Sequence, residues 1–449
     1  MLKVPGEVLK RCSGEISLFH LKYIHPKYFI FKISFYVLIL FSLLQLNSCT
    51  SSSNVQETEK KETPEIKRNI PTISKQIRVL IENSIPENQV VFTVPLQIKF
   101  GEEGFASINA KEIINFGIDG ENIDLNVGDR NYEYNYFDLI PMSGKYLNYN
   151  KHNYAGKFRL TIYGSQTGLV NILDMDDYVK SVVTAEMGNL IIKKNAEAVK
   201  ALIICVRNYA LAKIKEGKEV YDVFNDRRDQ IYPGIVKDNP VLNESMNETA
   251  GQVLVYNDDI ANTFYFSSCG GYTESCEHVF PNATAEYLEG VKDGGGPYCK
   301  ISPSFKWEET FTEDQIINLL VQSGYLSDSD WNLLDIGIDR RYQSDRVNEL
   351  SIIVENKQKE SKHIVLKGNG IRSVLKINKG KDLLKSTMFD IAIKRKSGKL
   401  EQIKFTGKGN GHGVGMCQWG AIGQARTGKN YKEILEFYYP GTKLEVADD

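Results

Sequence analysis

Glu186 stands three, four and seven residues after Val183, Val182 and Val179, so on a helix it shares their apolar face. A carboxyl group there is stripped of water, and a place in the last turn adds the negative end of the helix dipole. Both disfavour the ionised form and suit the group to general acid chemistry. On periodicity alone, a glutamate at a frayed helix end that reaches solvent fits as well. Arg207 lies at the edge of the apolar stripe of a second helix, where a guanidinium can hold a carboxylate or sugar hydroxyls, or simply face water. In GKGNGHGVGMCQWGA, residues 407–421, His412 stands among glycines that let a ligand approach the backbone, just before a helix start. A tight structural turn is the alternative. The segment fits neither a G-x-G-x-x-G fingerprint nor a Walker A loop, since no G-K-[ST] follows.

Sulfur is distributed unevenly. Cys205 falls mid-helix and Cys417 follows Met416, and both read as small buried residues. Cys269, Cys276 and Cys299 with His278 make a set able to hold a structural zinc, although the Cys269 to Cys276 spacing is longer than a usual zinc knuckle. One disulfide plus a free thiol explains the same residues in an exported protein. No H-E-x-x-H, G-x-S-x-G or C-x-x-C occurs, which removes the commonest zinc-protease, serine-hydrolase and redox readings.

The elements that must position these groups are legible in outline. From QIRVLIENS to Tyr163, β-prone runs such as VVFTVPLQIKF and KFRLTIYG alternate with Gly/Asn/Asp turns. Asp174 or Asp176 can cap a short helix that runs to Met187, with Gly188 as the stop. A longer helix starts after Asn195, with Val199, Leu202, Ile203, Val206 and Ala210 on the face expected to pack on sheet, and Lys213, Lys215 and Gly217 closing it. Strand-like runs QVLVYN, NTFYFSS, VNELSIIVEN and HIVLKGNG follow, with an amphipathic stretch after Thr312. Two short helices end the chain: Gln418 to about Thr427, stopped by Gly428, and Tyr431 to Tyr438, capped by Asn430 with Glu433 in the capping-box position. The class is α+β, mixed sheets with a few packed helices. No period of 20 to 50 residues suggests a solenoid.

Ahead of these, Ile33 to Leu46 is a charge-free run of fourteen residues behind Lys27 and Lys32. It is short for the roughly 18 to 20 residues of a spanning helix and has signal-peptide layout. Its ending, Leu46-Asn47-Ser48-Cys49, resembles a bacterial lipobox, with Cys49 the lipidated residue; a short uncleaved anchor is the alternative. We divide the chain into a leader (1–49), a polar disordered tether (50–75), a β-rich N-terminal region (76–159) and a main domain (160–445). The expected location is the cell envelope, exported and held to a membrane by the lipid. A formal net charge of -2 gives no polyanion-binding signature, so nucleic acid is not an expected partner.

Four segments together resemble the SpoIID/LytB family. DDYVKSVVTAEMGN with AEAVKALIICVRNYAL is similar to its "LEDYLKGVVAAEMP" and "EALKAQAVAARTYAL" region, and YDVFNDRRDQIYPGI to its "YDL..DT.CQVY.G" stretch. YFSSCGGYTES is similar to "HSSSGGxTE", and GNGHGVGMCQWGAIGQARTGKNYKEILEFYYPGT to the family's "GHGVGMSQWGA" ending. The resemblance implies a protein acting on peptidoglycan glycan strands in the cell envelope, either as a lytic transglycosylase or as a non-catalytic module that enhances a cell-wall amidase. It implies that Glu186 is the single acid/base, with no cofactor required. It also implies that Arg207, Gln230, Tyr232, Ser267, Gly270, Gly271, His412 and Gln418 occupy cleft motif positions. The sequence departs from the family pattern at Gly188, where proline is usual, at Phe266, where histidine often stands, and at Cys269 and Cys417, where serine is common.

Overall fold

Apolar and polar residues alternate along most of the first hundred structured residues, and each alternating run is a strand. The computed structural model describes residues 74–142, 146–280 and 283–447; the leader with Cys49 and the tether up to residue 73 lie outside the described residues. A seven-stranded sheet has the order Val223–Phe224, Gln76–Glu82, Gln166–Asp174, Lys157–Tyr163, Tyr136–Pro141, Leu96–Phe100, Gly104–Ile108. A four-stranded sheet runs Gln89–Val91, Ile113–Asp119, Asn122–Val127, Arg130–Tyr134. The single apolar run VVFTVPLQIKF therefore serves two sheets. Pro95, which has no amide to give to a ladder, falls in the break, and its carbonyl accepts the Met142 amide at 2.9 Å.

The boundary expected at 159/160 runs through the strand Lys157–Tyr163, which pairs with both Tyr136–Pro141 and Gln166–Asp174. The N-terminal strands and the helices share one hydrophobic core, from Ile77 through Phe158 and Val206 to Tyr439. Helix α1, Met175–Met187, follows directly from the strand Gln166–Asp174; Asp174 caps it by accepting the Asp176 amide at 2.8 Å. Helix α2, Ala196–Lys215, is buried on more than the one stripe seen in its sequence, because Ala201, Ile204, Cys205 and Asn208 are also enclosed. It is the central helix, packed on α1, on α3 (Pro240–Glu248) and on the strand Gln252–Tyr256. Helix α3 has a plain sequence signal in Asn239-Pro240, since Asn239 caps it with Pro240 at its first position.

A second core lies between residues 306 and 408. It is built from Trp307, Leu320, Leu350, Ile352, Ile403 and Phe405, among others. Two three-stranded sheets frame it: Lys306–Phe311 with Lys399–Lys408 and Phe389–Lys396, and Trp331–Arg341 with Val347–Asn356 and Ser361–Lys367. Helices α4, Glu313–Gln322, and α5, Gly370–Val374, belong to this lobe; Thr312 and Gln315 form a capping box at the start of α4. The chain then returns to the first core with α6, Gln418–Arg426, and α7, Tyr431–Tyr438, both packed on α2. Asn430 and Glu433 make the expected capping box at α7. The fold is α+β. Among the described residues no helix is long and apolar enough to cross a membrane.

Candidate active site

Three chain segments meet at the end of α1. Glu186 sits in the last turn of that helix and is half-buried. Gly188 ends the helix at φ 47° and ψ -120°, a backbone conformation open to glycine and strained for other residues. Gln418, the first residue of α6, donates its side-chain N–H to Glu186 Oε2 at 3.0 Å. Burial pushes the Glu186 carboxyl above its ordinary range, against the Gln418 hydrogen bond and the Arg227 charge, which pull it down. With Oε2 accepting from Gln418, Oε1 is the oxygen left to carry a proton.

Beside this pair is a chain of polar groups. The Tyr178 hydroxyl donates to Gln230 Oε1 at 2.9 Å, and Gln230 Nε2 donates to the Tyr265 hydroxyl at 3.0 Å. Tyr178 is fully buried and Tyr265 half-buried, and both phenols are pushed well above their ordinary range, chiefly by loss of water, with the Glu186 charge contributing to each. Because Tyr265 accepts from Gln230, its own proton is not spent in that contact. Tyr265 lies on the strand Tyr265–Phe266, which pairs in parallel with Met416–Cys417, Tyr265 opposite Met416. That pairing sets Tyr265 and Gln418 on adjoining segments. The sequence placed NTFYFSS as strand without singling out Tyr265; its only signal was its position one residue ahead of the Phe266-Ser267 motif.

Of the expected site residues, Glu186 and Gln418 touch directly, and Gln230 links Tyr178 and Tyr265, both of which feel the Glu186 charge. His412 serves differently. Its Nε2 donates to the Tyr265 carbonyl at 2.9 Å and its Nδ1 accepts the Val414 amide at 3.1 Å, so both ring nitrogens are spent on backbone. Burial, reinforced by the Arg372 charge, drives its pKa down to about 3, which keeps the ring neutral. It positions the Tyr265 strand and has no free nitrogen for a ligand. The glycines around it make room for the chain itself: a Cβ on Gly415, at φ +74°, would lie 2.1 Å from the Phe264 carbonyl oxygen. Ser267 gives its carbonyl to the Trp419 amide at 3.0 Å. Gly270 closes against the backbone of Lys408 and Gly409, and Gly271, at φ +121°, lies beside Pro297.

Arg207 and Tyr232 stand apart from Glu186. The Arg207 guanidinium is 1% exposed and donates to the Thr249 and Gln252 carbonyls, each at 3.0 Å, and to Asp176 at 3.2 Å. It ties α2 to the end of α3 and to α1 through these bonds, in contrast to the cleft position expected for it. Tyr232 donates to Asn171 Oδ1 at 2.8 Å and lines a separate cavity of about 210 Å³ with Asp177 and Lys180.

The expected zinc set is also regrouped. The Cys276 sulfur donates to the Ala283 carbonyl at 3.1 Å, and His278 pairs with Glu274 at 2.8 Å and stacks on Tyr342. Cys269 and Cys299 do converge, and Cys417 joins them. The reason is topological. Cys417 is distant in sequence from the other two and reaches them through the parallel pairing of Met416–Cys417 with Tyr265–Phe266 and the packing of α6 on Tyr298.

Comparison with known proteins gives two family matches. Residues 163–256 match the family described as Stage II sporulation protein (SpoIID), a span that includes Glu186, α2 and Gln230. Residues 286–415 match a domain of unknown function (DUF8618), which spans the second core. An uncharacterized protein of Brachyspira hyodysenteriae is 32% identical over 299 residues, covering 66% of this chain and 73% of its own length. The amidase enhancer of Bacillus subtilis is 27% identical over 381 residues, 72% of this chain and 49% of that protein, so the match spans about half of its length. Stage II sporulation protein D of Bacillus subtilis is 26% identical over 310 residues, 66% of this chain and 81% of that protein.

Proposed function

From the premise that this chain belongs to the SpoIID family, we propose that it cleaves peptidoglycan glycan strands as a lytic transglycosylase, with Glu186 as acid and then base. The observation that carries the reading is the Glu186 carboxyl: half-buried, raised in pKa by that burial, and oriented by one hydrogen bond from Gln418. A binding module has no need of a proton donor in such a place. In the first step Glu186 gives its proton to the glycosidic oxygen as the bond to C1 of the muramyl residue breaks. In the second, the carboxylate takes the proton of the C6 hydroxyl of the same sugar as that oxygen bonds to C1, leaving a 1,6-anhydro end. The internal hydroxyl replaces the water of an ordinary glycosidase, so one carboxyl group suffices. Tyr265, half-buried within reach of the charge of Glu186 and held by Gln230, keeps a free hydroxyl proton to donate to a sugar oxygen.

Glu186→Gln keeps shape and hydrogen bonding and removes the transferable proton. Turnover on denuded glycan should fall by a factor on the order of 10² to 10⁴ while glycan binding stays near wild type and thermal melting is no lower. Mass spectrometry of anhydro products reads the outcome, and wild-type turnover in a folded variant would sink the mechanism. The likeness to an amidase enhancer favours a second reading, a glycan-binding module that stimulates an amidase. In that case neither protein releases anhydro products, and both stimulate amidase release of stem peptides equally. The expected setting is the outer face of a membrane, through a lipid on Cys49.

A further inference from the structure

Cys269, Cys299 and Cys417 are fully buried, and their sulfurs lie within 4.8 Å of one another. The Cys269 and Cys299 sulfurs are 3.4 Å apart. Thiolates on a tetrahedral zinc, each about 2.3 Å from the ion, stand about 3.8 Å from one another. We propose that these three thiolates hold a thiophilic divalent cation, of which Zn²⁺ is the expected one.

Two further features fit this assignment. The first is hydrogen bonding to sulfur: Cys417 accepts the amides of Cys269 at 3.1 Å and Gly420 at 3.2 Å, and Cys269 accepts that of Gly271 at 3.4 Å. Sulfur that accepts backbone N–H groups at the start of α6 is favoured as thiolate, the form a metal needs. The second is charge. Arg346 is fully buried; its Nη2 donates to the Cys269 carbonyl at 3.0 Å, while Nε and Nη1 have no hydrogen-bond partner among the described residues. The side chains that would face it as anions are Cys269, Glu274, Cys417 and Cys299. Three thiolates on a dication carry one net negative charge, a counterpart for the stranded guanidinium. Loading releases the thiol protons to solvent, and no electron moves. A disulfide would use two of the sulfurs and leave the third buried beside them.

The site would join three segments: the Ser267–Gly271 stretch, the short helical turn Tyr298–Ile301 and the start of α6, whose first residue holds Glu186. The assignment does not depend on what the protein cleaves or binds. It is tested on the purified full chain, reduced and then exposed to Zn²⁺ alone, by metal analysis and a thiol count. One zinc per chain is expected, and Co²⁺ in its place should give a strong near-ultraviolet thiolate charge-transfer band. Cys276→Ser should keep both signals, whereas Cys417→Ser should lose the metal, with thermal melting as the folding control. A metal-free chain with a Cys269–Cys299 disulfide in peptide maps would overturn the assignment, as would zinc retained in Cys417→Ser and lost in Cys276→Ser. Should Cys417→Ser not fold, the cobalt spectrum of the unmutated chain decides alone: absence of the thiolate band overturns the site.

Discussion

At the scale of single residues, the proposed chemistry depends on one carboxyl group held partly out of water. Burial raises the Glu186 pKa above 4.5, so the native state keeps its proton to higher pH than the unfolded chain does. The stability tied to the protonated form is complete below the unfolded pKa and is lost as pH rises through the native one. Glu186→Gln resembles the protonated group at every pH. At neutral pH it should therefore be more stable than the wild type, by on the order of 1 kcal/mol, the usual gain when a strained active-site group is relieved. The gain should vanish in acid. Urea denaturation on both sides of that range checks it, and a variant less stable than wild type at neutral pH would contradict the burial argument. Arg207 and His412 show what residue type leaves undecided. A guanidinium beside an apolar stripe and an imidazole among glycines both suit ligands, yet Arg207 Nη1 and Nη2 bond to Thr249, Gln252 and Asp176, and both His412 nitrogens bond to backbone.

At the scale of elements, local signals with a single physical cause were readable. Asp174 before α1, Asn430 with Glu433 at α7, and Gly188 after Glu186 each satisfy helix-end groups within a few residues, so sequence distance and spatial distance coincide. The run VVFTVPLQIKF was harder, because alternation continues through a proline that divides it between two sheets. Helix α6 matters most to the site, since it presents Gln418. Its Gly423 packs on the carbonyl of Tyr298, and a Cβ there would come within 2.3 Å of that oxygen. Gly423→Ala raises helix propensity, so in an isolated helix it would stabilise. Here it should destabilise the fold by about 1 to 3 kcal/mol through overpacking. It should also lower turnover more than glycan binding, as Gln418 shifts away from Glu186. Denaturation and steady-state rates of the variant test this; unchanged stability would show that α6 can slide without cost.

At the scale of the whole molecule, two cores divide the labour. The larger one holds the Glu186 site, and the second, centred on Phe405 and Leu350, contributes Arg346 from the end of its strands to the thiol cluster. The leader lies outside the described residues, and Cys49 lipidation is a prediction from its charge-free run. Cys49→Ala should release the chain from membranes or block its maturation. Membrane fractionation with intact-mass measurement decides between that and an uncleaved anchor, for which retention would be unchanged.

The sequence by itself determined the α+β class, the main helix ends and the position of Glu186 at the close of an apolar helix face. These rest on periodicity and capping, which act within one or two turns. It also carried the family motifs that select Gln230 and Gln418. Tertiary structure alone decided which of those residues meet. Tyr265 joins Glu186, and Cys417 replaces Cys276 and His278 beside Cys269 and Cys299, because one short parallel pairing, Tyr265–Phe266 with Met416–Cys417, joins segments about 150 residues apart. Neither spacing nor propensity registers a contact of that range, since its energy comes from burial and backbone pairing that exist only once the chain has closed on itself.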